Sequence, residues 1–390
     1  MIAAEPAQAF LADIRRIATE IAAPNAAAVD RDARFPVEAV DALKASGALA
    51  ALVPAELGGP DLPFEVVAEA ALELGRACAA SGMVFAMHHI QVATISRHAA
   101  AGSWFAEYLS GLVSAPRLIA SATSEIGTGG DLGRSIAAVE TDDAGSLSFT
   151  KQAPTVSYGA YADDLLTTLR RSPDAEPGDQ VIVLTGRDQT TLEPMGAWDP
   201  LGMRGTCSPG FVIRATLRPE QILDTPFATV ATESMVPVTH LLWSHVWLGI
   251  ATEAFDRARA FVRSQARQRP GETPPTALRL SRLMGSLALL RAEVRSELAG
   301  FVAISAGPDR DELSTMARIL RLNNLKISAS EQTPQICLAA LEICGIAGYR
   351  NDSPYAIGRL LRDALSGPLM IANERIHQTN ASLLLIAKDV

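Results

Sequence analysis

The sequence predicts a mainly α-helical protein with a central β domain, and two patterns support this. Residues 1–115 and 226–390 carry apolar side chains at the three- and four-residue spacing of helices. Residues 116–225 instead contain short β-branched or alternating segments, separated by glycine, proline and aspartate turns. We therefore predict an N-terminal α-helical domain at 1–115, a middle β domain at 116–225 and a C-terminal helical bundle at 226–390.

The N-terminal domain divides into two sets of helices. Helical spacing in the first set is carried by Phe10, Ile14, Ile17 and Ile21. The second set runs from Phe64 to Leu112. Prolines and glycines predict a loop between the two sets, and these are Pro54, Gly58, Gly59, Pro60 and Pro63.

The strands and helices of residues 116–390 are predicted from the same two periodicities. The predicted strands are Ser146–Thr150, Asp164–Leu169 and Gln180–Thr185. In the last domain, the first residues near helical spacing include the aromatic residues Trp243 and Trp247. The further predicted helical runs are Leu280–Phe301, Glu312–Ile343 and Pro354–Ala387.

Composition predicts a protein that binds a small molecule. The 390 residues are 48% hydrophobic, and 34 Lys and Arg against 43 Asp and Glu give a net charge of -9. Because no basic cluster offsets this charge, we expect neither nucleic acid nor an anionic membrane as a partner. No apolar run reaches transmembrane length, and Met1–Gln8 lacks the basic flank of an export signal, so we expect a cytoplasmic protein.

The four cysteines are scattered without CxxC spacing. This excludes the usual patterns of a metal cage or a disulfide framework, and we expect buried, reduced thiols and no metal. The residues are Cys78, Cys207, Cys337 and Cys344.

The strongest signal for a ligand site is the glycine-rich stretch Ser124–Asp131. Three of its residues, at 127, 129 and 130, are glycines, which let the backbone approach a ligand without a Cβ clash. The stretch lies between the apolar run Leu118–Ala122 and Ser135–Val139, which predicts a turn between strands. A nucleotide P-loop would need a lysine, and a dinucleotide fingerprint would need a following helix. A plain hairpin is the alternative interpretation.

Six motifs occur in order along nearly the whole chain: Pro54–Gly59 (P-x-x-x-G-G), Ser124–Asp131 (compare T-E-P-x-A-G-S-D), Ser157–Asp163 (compare T-N-x-x-x-A-D), Leu201–Thr206 (L-G-x-R-x-T), Gly345–Tyr349 (compare G-G-x-G-Y) and Arg362–Ala364 (R-D-A). Together they resemble the acyl-CoA dehydrogenase superfamily of FAD-dependent flavoproteins. The resemblance implies an N-terminal helical domain, a small β-barrel and a C-terminal four-helix bundle. The chain would be a divergent member that lacks the usual glutamate motif.

The resemblance implies FAD as the cofactor. A glycine turn suits this role, because its backbone amides supply donors to the ring edge without bulk. The residues implied along the flavin ring are Ser124, Gly127, Thr128, Gly129, Gly130, Thr155, Val156 and Ser157. The family's tryptophan is absent at Thr155. The alternative for Ser157, implied near the flavin N5, is a solvated turn hydroxyl.

A second implied set lies farther along the chain, where the family binds the FAD pyrophosphate and adenine partly from the neighbouring subunit. Arg267 best matches the family's arginine, with Arg263 and Arg269 as competitors. Glu342 occupies the position of a glutamine, where a carboxylate would repel phosphates unless it bound ribose hydroxyls. Gly345 matches the first of the two glycines that follow, and Ile346 replaces the second. Arginines that simply cap a helix end are the alternative.

The catalytic base of the resembling dehydrogenases is a glutamate against the flavin. Counting from the flanking motifs places Ile371 or Ile376 at that position, and Glu374 is the only carboxylate between them. Glu374 is our candidate base, the alternatives being a surface ion pair or a solvated helix cap. The family's second location for the base falls at Thr239, which is no acid. The remaining titratable candidates are His240, His245 and His377.

We expect a dehydrogenase that oxidises the Cα–Cβ bond of an acyl thioester, carried by coenzyme A or an acyl carrier protein, with an electron acceptor protein as a further partner. The alternative is a monooxygenase of the same fold, which uses reduced flavin and oxygen and needs no carboxylate base. A third interpretation is a partner subunit that has lost catalysis. The resemblance also implies a homodimer or homotetramer.

Overall fold

The computed structural model describes residues 4–308 and 310–387. The start of the predicted N-terminal domain, residues 1–3, and the end of the predicted C-terminal bundle, residues 388–390, therefore lie outside the described residues. The first part of the chain is helical, as predicted. A π-helical turn at Ile17–Ala22 joins its first two helices. The helices are α1 (Ala4–Arg16), α2 (Ala23–Arg31), α3 (Val37–Ala45), α4 (Phe64–Ala77), α5 (Ala79–His98) and α6 (Trp104–Ser114).

Eight strands follow between residues 119 and 223. They are β1 (Ile119–Ala122), β2 (Glu140–Thr141), β3 (Leu147–Ala153), β4 (Asp164–Arg170), β5 (Gln180–Gly186), β6 (Thr190–Met195), β7 (Gly210–Leu217) and β8 (Ile222–Leu223). One sheet has the order β1-β4-β5-β8, in which β1 is parallel to β4, and the other has the order β2-β3-β7-β6. In the described residues the strands thus form two sheets and not one closed barrel.

The pairing explains this difference from the expected barrel. Six of the seven residues of both β4 and β5 are buried, whereas β7 alternates between buried and exposed positions. Alternation in sequence identifies a strand, but it does not specify which strand lies beside it. The predicted strand Ser135–Val139 is reduced to one bridge, at Ala138.

The C-terminal part is a helical bundle. A short helix and a π-helical turn lead into α8, and α8, α9 and α10 are long. The bounds are α7 (Phe227–Val230), α8 (Val236–Gln268), α9 (Thr276–Ala306), α10 (Met316–Cys344), α11 (Ile346–Tyr349), α12 (Gly358–Ala364) and α13 (Asn373–Leu384). The predicted helical run Pro354–Ala387 is divided, because a turn at residues 365–372, with Gly367 and Pro368, separates α12 from α13.

Helix α8 is the centre of the helical core, since it packs against α4, α5, α9 and α10. Its crossing with α4 is close because both helices have glycine there. A Cβ on Gly249 would lie 2.3 Å from the Leu72 carbonyl oxygen, and one on Gly75 would lie 2.7 Å from the Val246 carbonyl oxygen. This contact fixes the N-terminal helices against α8, so that α5 and α8 form a continuous wall.

The motif Leu201–Thr206 of the β domain contacts the motif Arg362–Ala364 on α12. The Met203 N–H donates a hydrogen bond of 2.7 Å to Asp363 Oδ1. Burial raises the pKa of Asp363 to about 6, although Arg359 and the Met203 amide act in the opposite direction. The contact ties the β domain to α12 and fixes where the turn at 365–372 begins.

The four cysteines are buried and form no disulfide, as predicted. Among the described helices, none combines the length and the apolar character needed to cross a membrane.

Replacing Gly249 with alanine should destabilise the protein by about 1–3 kcal/mol, because the added methyl group overlaps the backbone of α4. The matched control is Gly285→Ala on α9, where nothing lies within 4 Å of the new Cβ. That change should be neutral or stabilise the protein by about 0.5–1 kcal/mol. Urea unfolding of both variants measures the difference, and equal stabilities would contradict the close crossing.

Candidate functional site

Six of the twelve predicted cofactor residues line a cavity of about 440 Å³, which we call the inner cavity. One wall is the glycine loop, residues 124–131, together with residues 155–157. The opposite wall is formed by α5 and α8, and the turn at 365–372 closes the third side. The predicted residues that line it are Ser124, Thr128, Gly129, Gly130, Thr155 and Ser157.

The glycine loop presents backbone donors that the fold does not use. Among the described residues, no backbone carbonyl accepts a hydrogen bond from the N–H of Gly127, Thr128, Gly129 or Gly130. The three glycines have φ of 93°, 63° and 82°, in the region that favours residues without a Cβ. Such a run of amides binds electronegative atoms. The loop therefore fits the acceptor-rich edge of a flavin ring.

A buried carboxylate holds the loop in this shape. Glu125 accepts hydrogen bonds from Ser135 Oγ at 2.6 Å and from the amides of Ala137 at 2.6 Å and Ile136 at 3.1 Å. Lys151 Nζ lies 3.4 Å from the same carboxylate. Burial alone would raise the pKa of Glu125, but Lys151 and these donors outweigh it and lower the pKa. The anchor is therefore ionised at neutral pH.

The neighbouring segment 155–157 is fixed from both sides. Ser124 Oγ donates to the Thr155 carbonyl at 2.9 Å, and the Tyr158 hydroxyl donates to the Ile119 carbonyl at 3.0 Å. Ser157 is half-buried, and its Oγ accepts a hydrogen bond from Ser208 Oγ at 3.0 Å. The Ser157 hydroxyl therefore keeps its own proton for a ligand in the inner cavity. Val156 is fully buried behind this wall.

The turn at 365–372 is held by a buried lysine. Lys326 Nζ donates to the carbonyls of Ile371 at 2.7 Å and Gly367 at 3.2 Å, and to Asn373 Oδ1 at 2.7 Å. Ile371 has a φ of 49°, which is strained for a β-branched residue. Burial lowers the pKa of Lys326 to about 8. These bonds keep Leu369–Ala372 against the inner cavity.

A second cavity of about 620 Å³, the outer cavity, adjoins the first. The two share five lining residues: Gly130, Leu132, Val236, Ile371 and Arg375. His240 lines the outer cavity, and its Nδ1 donates to the Leu322 carbonyl at 3.1 Å. Burial, and secondly Lys326, lower the pKa of His240 to about 3. This histidine is thus neutral at neutral pH.

The candidate base does not line either cavity. Glu374 is exposed in the first turn of α13, and the adjacent Arg375 faces the cavities instead. Of the other candidates, His245 is buried with its Nδ1 2.7 Å from the Leu241 carbonyl, and burial lowers its pKa to about 4. His377 is exposed. Thr239 lines the inner cavity and donates to the Met235 carbonyl.

The residues implied to contact the pyrophosphate are elsewhere. Arg267 is exposed near the end of α8, while Glu342, Gly345 and Ile346 lie at the end of α10 and its junction with α11. None of the four lines the inner or outer cavity. Because the resemblance assigns them partly to a neighbouring subunit's cofactor, their role stays a prediction.

Sequence reasoning missed Arg375, Lys326 and Glu125 as site residues. Glu125 belongs to a recognised motif, so its position was a signal, but its buried anchoring role was not predicted. Arg375 directly follows the candidate base Glu374, but no motif marks it as a site residue. Which of two adjacent residues faces a cavity depends on where α13 begins, and the sequence does not mark that residue.

Comparison with known proteins identifies the family of the first domain. Residues 4–115 match the family model "Acyl-CoA dehydrogenase, N-terminal domain". Dibenzothiophene monooxygenase of Rhodococcus qingshengii is 25% identical over 327 residues, covering 78% of this chain and 77% of that protein. The short-chain specific acyl-CoA dehydrogenase of Bos taurus mitochondria is 25% identical over 351 residues, covering 85% and 78%.

A shorter match and two solved structures extend this comparison. Dibenzothiophene monooxygenase of Mycolicibacterium goodii is 28% identical over 247 residues. The match covers 58% of this chain and 56% of the length of that protein, so the chain spans just over half of this relative. The structure of KijD3 in complex with dTDP superposes with a TM-score of 0.84 at 25% identity, over 98% of this chain and 97% of that one. FMN-bound TdsC from Paenibacillus sp. A11-2 gives 0.83 at 23% identity, over 97% of each, and shows the shared fold.

Replacing Lys326 with methionine should loosen the turn at 365–372, because three acceptors lose their buried donor. Each buried acceptor left unpaired costs about 1–3 kcal/mol. We expect faster amide hydrogen exchange in residues 367–373, measured by mass spectrometry. Lys44→Met is the control, because its part-exposed ion pair with Asp163 contributes about 1 kcal/mol or less. Unchanged exchange at 367–373 would contradict the role of Lys326.

Proposed function

We propose that this chain, which belongs to the acyl-CoA dehydrogenase superfamily, is a flavin-dependent monooxygenase that acts on a small, largely apolar substrate. Its fold is that of the acyl-CoA dehydrogenases, and its relatives include monooxygenases and dehydrogenases. The observation that carries the proposal is the chemistry of the inner cavity, which joins a loop of free amide donors to an apolar pocket without a carboxylate.

The glycine loop supports a flavin as the cofactor. The free amides at 127–130 would bind the polar edge of the ring, and the Ser157 hydroxyl would donate a hydrogen bond to the ring from the adjacent segment. FAD is the cofactor implied by the resemblance, whereas a structural relative binds FMN. A loop that binds the ring edge would not distinguish FAD from FMN, because both carry the same ring. Chromatography of the flavin extracted from purified protein decides between them.

The remaining walls of the inner cavity suit an apolar substrate. Apolar side chains from α5, the turn before α8, α8 itself and the turn at 365–372 line the cavity and would cover the ring face: Met87, Ile90, Met235, Trp243, Leu369 and Met370. When bound, reduced flavin supplies two electrons and activates oxygen. One atom of O₂ would enter the substrate, and the other would leave as water after taking up two protons.

The absence of an acid distinguishes this proposal from dehydrogenation. Removal of an α-proton from an acyl thioester needs a base within hydrogen-bonding reach of the substrate. Among the described residues that line the inner cavity, none is Asp, Glu or His, and Arg375 is the one charged side chain. Glu374 is exposed and lines neither cavity. Oxygenation needs no such base.

The dehydrogenase remains the second candidate, and two observations favour it. The bovine short-chain acyl-CoA dehydrogenase matches over more of this chain than the monooxygenase of Rhodococcus qingshengii does, 85% against 78%. In addition, Glu374 is next to the cavity-lining Arg375, so a rotation of the first turn of α13 by about 100° would bring its carboxylate to the cavity. Partners would then be an acyl thioester and an electron acceptor protein, and in either case we expect a homodimer or homotetramer.

Flavin-loaded protein distinguishes the two activities. With NADH, a flavin reductase and indole or dibenzothiophene, we expect oxygen uptake and an oxygenated product by mass spectrometry. Under anaerobic conditions, butyryl-CoA should leave the flavin absorbance unchanged. Bleaching by butyryl-CoA, abolished in Glu374→Gln, would contradict the monooxygenase and establish the dehydrogenase.

Gly129→Val should reduce flavin binding at least about tenfold, because a branched side chain at φ 63° distorts the donor loop and fills the cavity. The matched control is Gly145→Val, which has a φ of 83° in an open turn outside the site and carries the same backbone strain. Fluorescence titration with FMN and FAD measures both affinities. Equal flavin binding by the two variants would place the cofactor elsewhere.

A further inference from the structure

The side chain of Arg375 lies at the junction of the two cavities. It lines both the inner and the outer cavity, where they join. Its atoms lie about 3.6 Å from the points where Cβ atoms on Gly129 and Gly130 would project, so it rests against the glycine loop. Arg375 is half-buried. A cation here therefore faces whatever molecule occupies the junction of the two cavities.

This cation lacks a partner in the part of the chain that the structure describes. No carboxylate lies within 4.0 Å of it, and its guanidinium donates no hydrogen bond. The arginines of the pocket between α1, α4, α8 and α12 differ, since Arg15, Arg76 and Arg257 each have a carboxylate partner. A guanidinium carries five donors in a planar fork that matches carboxylate and phosphate.

The surroundings favour an anion at this point. No Asp or Glu lines the inner cavity, and the one carboxylate that lines the outer cavity, Asp131, accepts a hydrogen bond from the Gly133 amide through its Oδ1. Gly129 and Gly130, whose amides are also unused, lie beside the guanidinium, and Gly130 lines both cavities. Positive charge and free donors thus converge where the two cavities meet.

We propose that Arg375 forms an oxyanion subsite at the junction of the inner and outer cavities, which pairs with a carboxylate or phosphate of the bound molecule. The inference rests on the proposed function, because the inner cavity is taken as the place of reaction. A substrate would place its apolar part in the inner cavity, its anionic group on Arg375 and a further polar part in the outer cavity. The same chemistry could come from the flavin phosphate.

Two pairs of probes separate these sources, using the full chain. Indole and indole-3-carboxylate differ only in a carboxylate, and their binding to flavin-free protein is measured by isothermal titration calorimetry. Riboflavin and FMN differ only in a phosphate. A charge-assisted hydrogen bond is worth about tenfold or more in affinity, so the wild-type protein should prefer the anionic member of at least one pair by that factor.

Arg375→Gln should abolish the preference, and Arg375→Lys should retain most of it. Loss of preference for indole-3-carboxylate assigns the anion to the substrate, and loss of preference for FMN assigns it to the cofactor. Arg214→Gln, on β7 outside the site, is the control and should change neither. If Arg375→Gln changes neither preference while its melting temperature is that of the wild type, the subsite is disproved.

Failure of this inference is distinguishable from failure of the proposed function. The indole pair is measured without flavin, so an intact preference would support the subsite even in a protein that does not oxygenate. Conversely, oxygenation of indole with equal binding of both members of each pair would leave the monooxygenase in place and overturn the subsite.

Discussion

The ionised carboxylate of Glu125 is the contact on which the rest of the site depends. It collects two backbone amides, a serine hydroxyl and the ammonium of Lys151 within a buried pocket behind the glycine loop. Because these bonds hold the end of the loop, the loop keeps its shape although the amides at 127–130 have no partner among the described residues. A buried carboxylate with several donors is costly to rearrange, so the loop is fixed before a ligand arrives.

The opposite wall depends on a second buried charge, Lys326, which holds the turn between α12 and α13. The two anchors come from different parts of the fold: Glu125 follows β1 and pairs with Lys151 on β3, whereas Lys326 belongs to α10. A cavity built between two independently fixed walls keeps its shape without a ligand. Arg375 follows the second wall, so the same turn that closes the inner cavity also brings a cation to its junction with the outer one.

The order of helical and β domains and the position of the glycine loop could be predicted from the sequence, because periodicity and glycine content are local properties. The residues at 155–157 were implied by the family resemblance alone, because no local pattern marks them. It did not predict the division of the strands into two sheets, since pairing depends on burial of β4 and β5 by distant elements. The run Pro354–Ala387 was expected to be helical throughout, yet the turn stabilised by Lys326 interrupts it. This interruption determines which side of α13 faces the cavity. As a result Arg375 lines the cavity and Glu374 is exposed.

The most direct test of the account is an amide titration of protein labelled with ¹⁵N-glycine. On addition of FMN or FAD, the account predicts large shifts of the amide resonances of Gly127, Gly129 and Gly130, with Gly145 and Gly271 unchanged. Flavin that bound while these three amides kept their positions, and that shifted glycines elsewhere, would contradict the claim that this loop holds the cofactor.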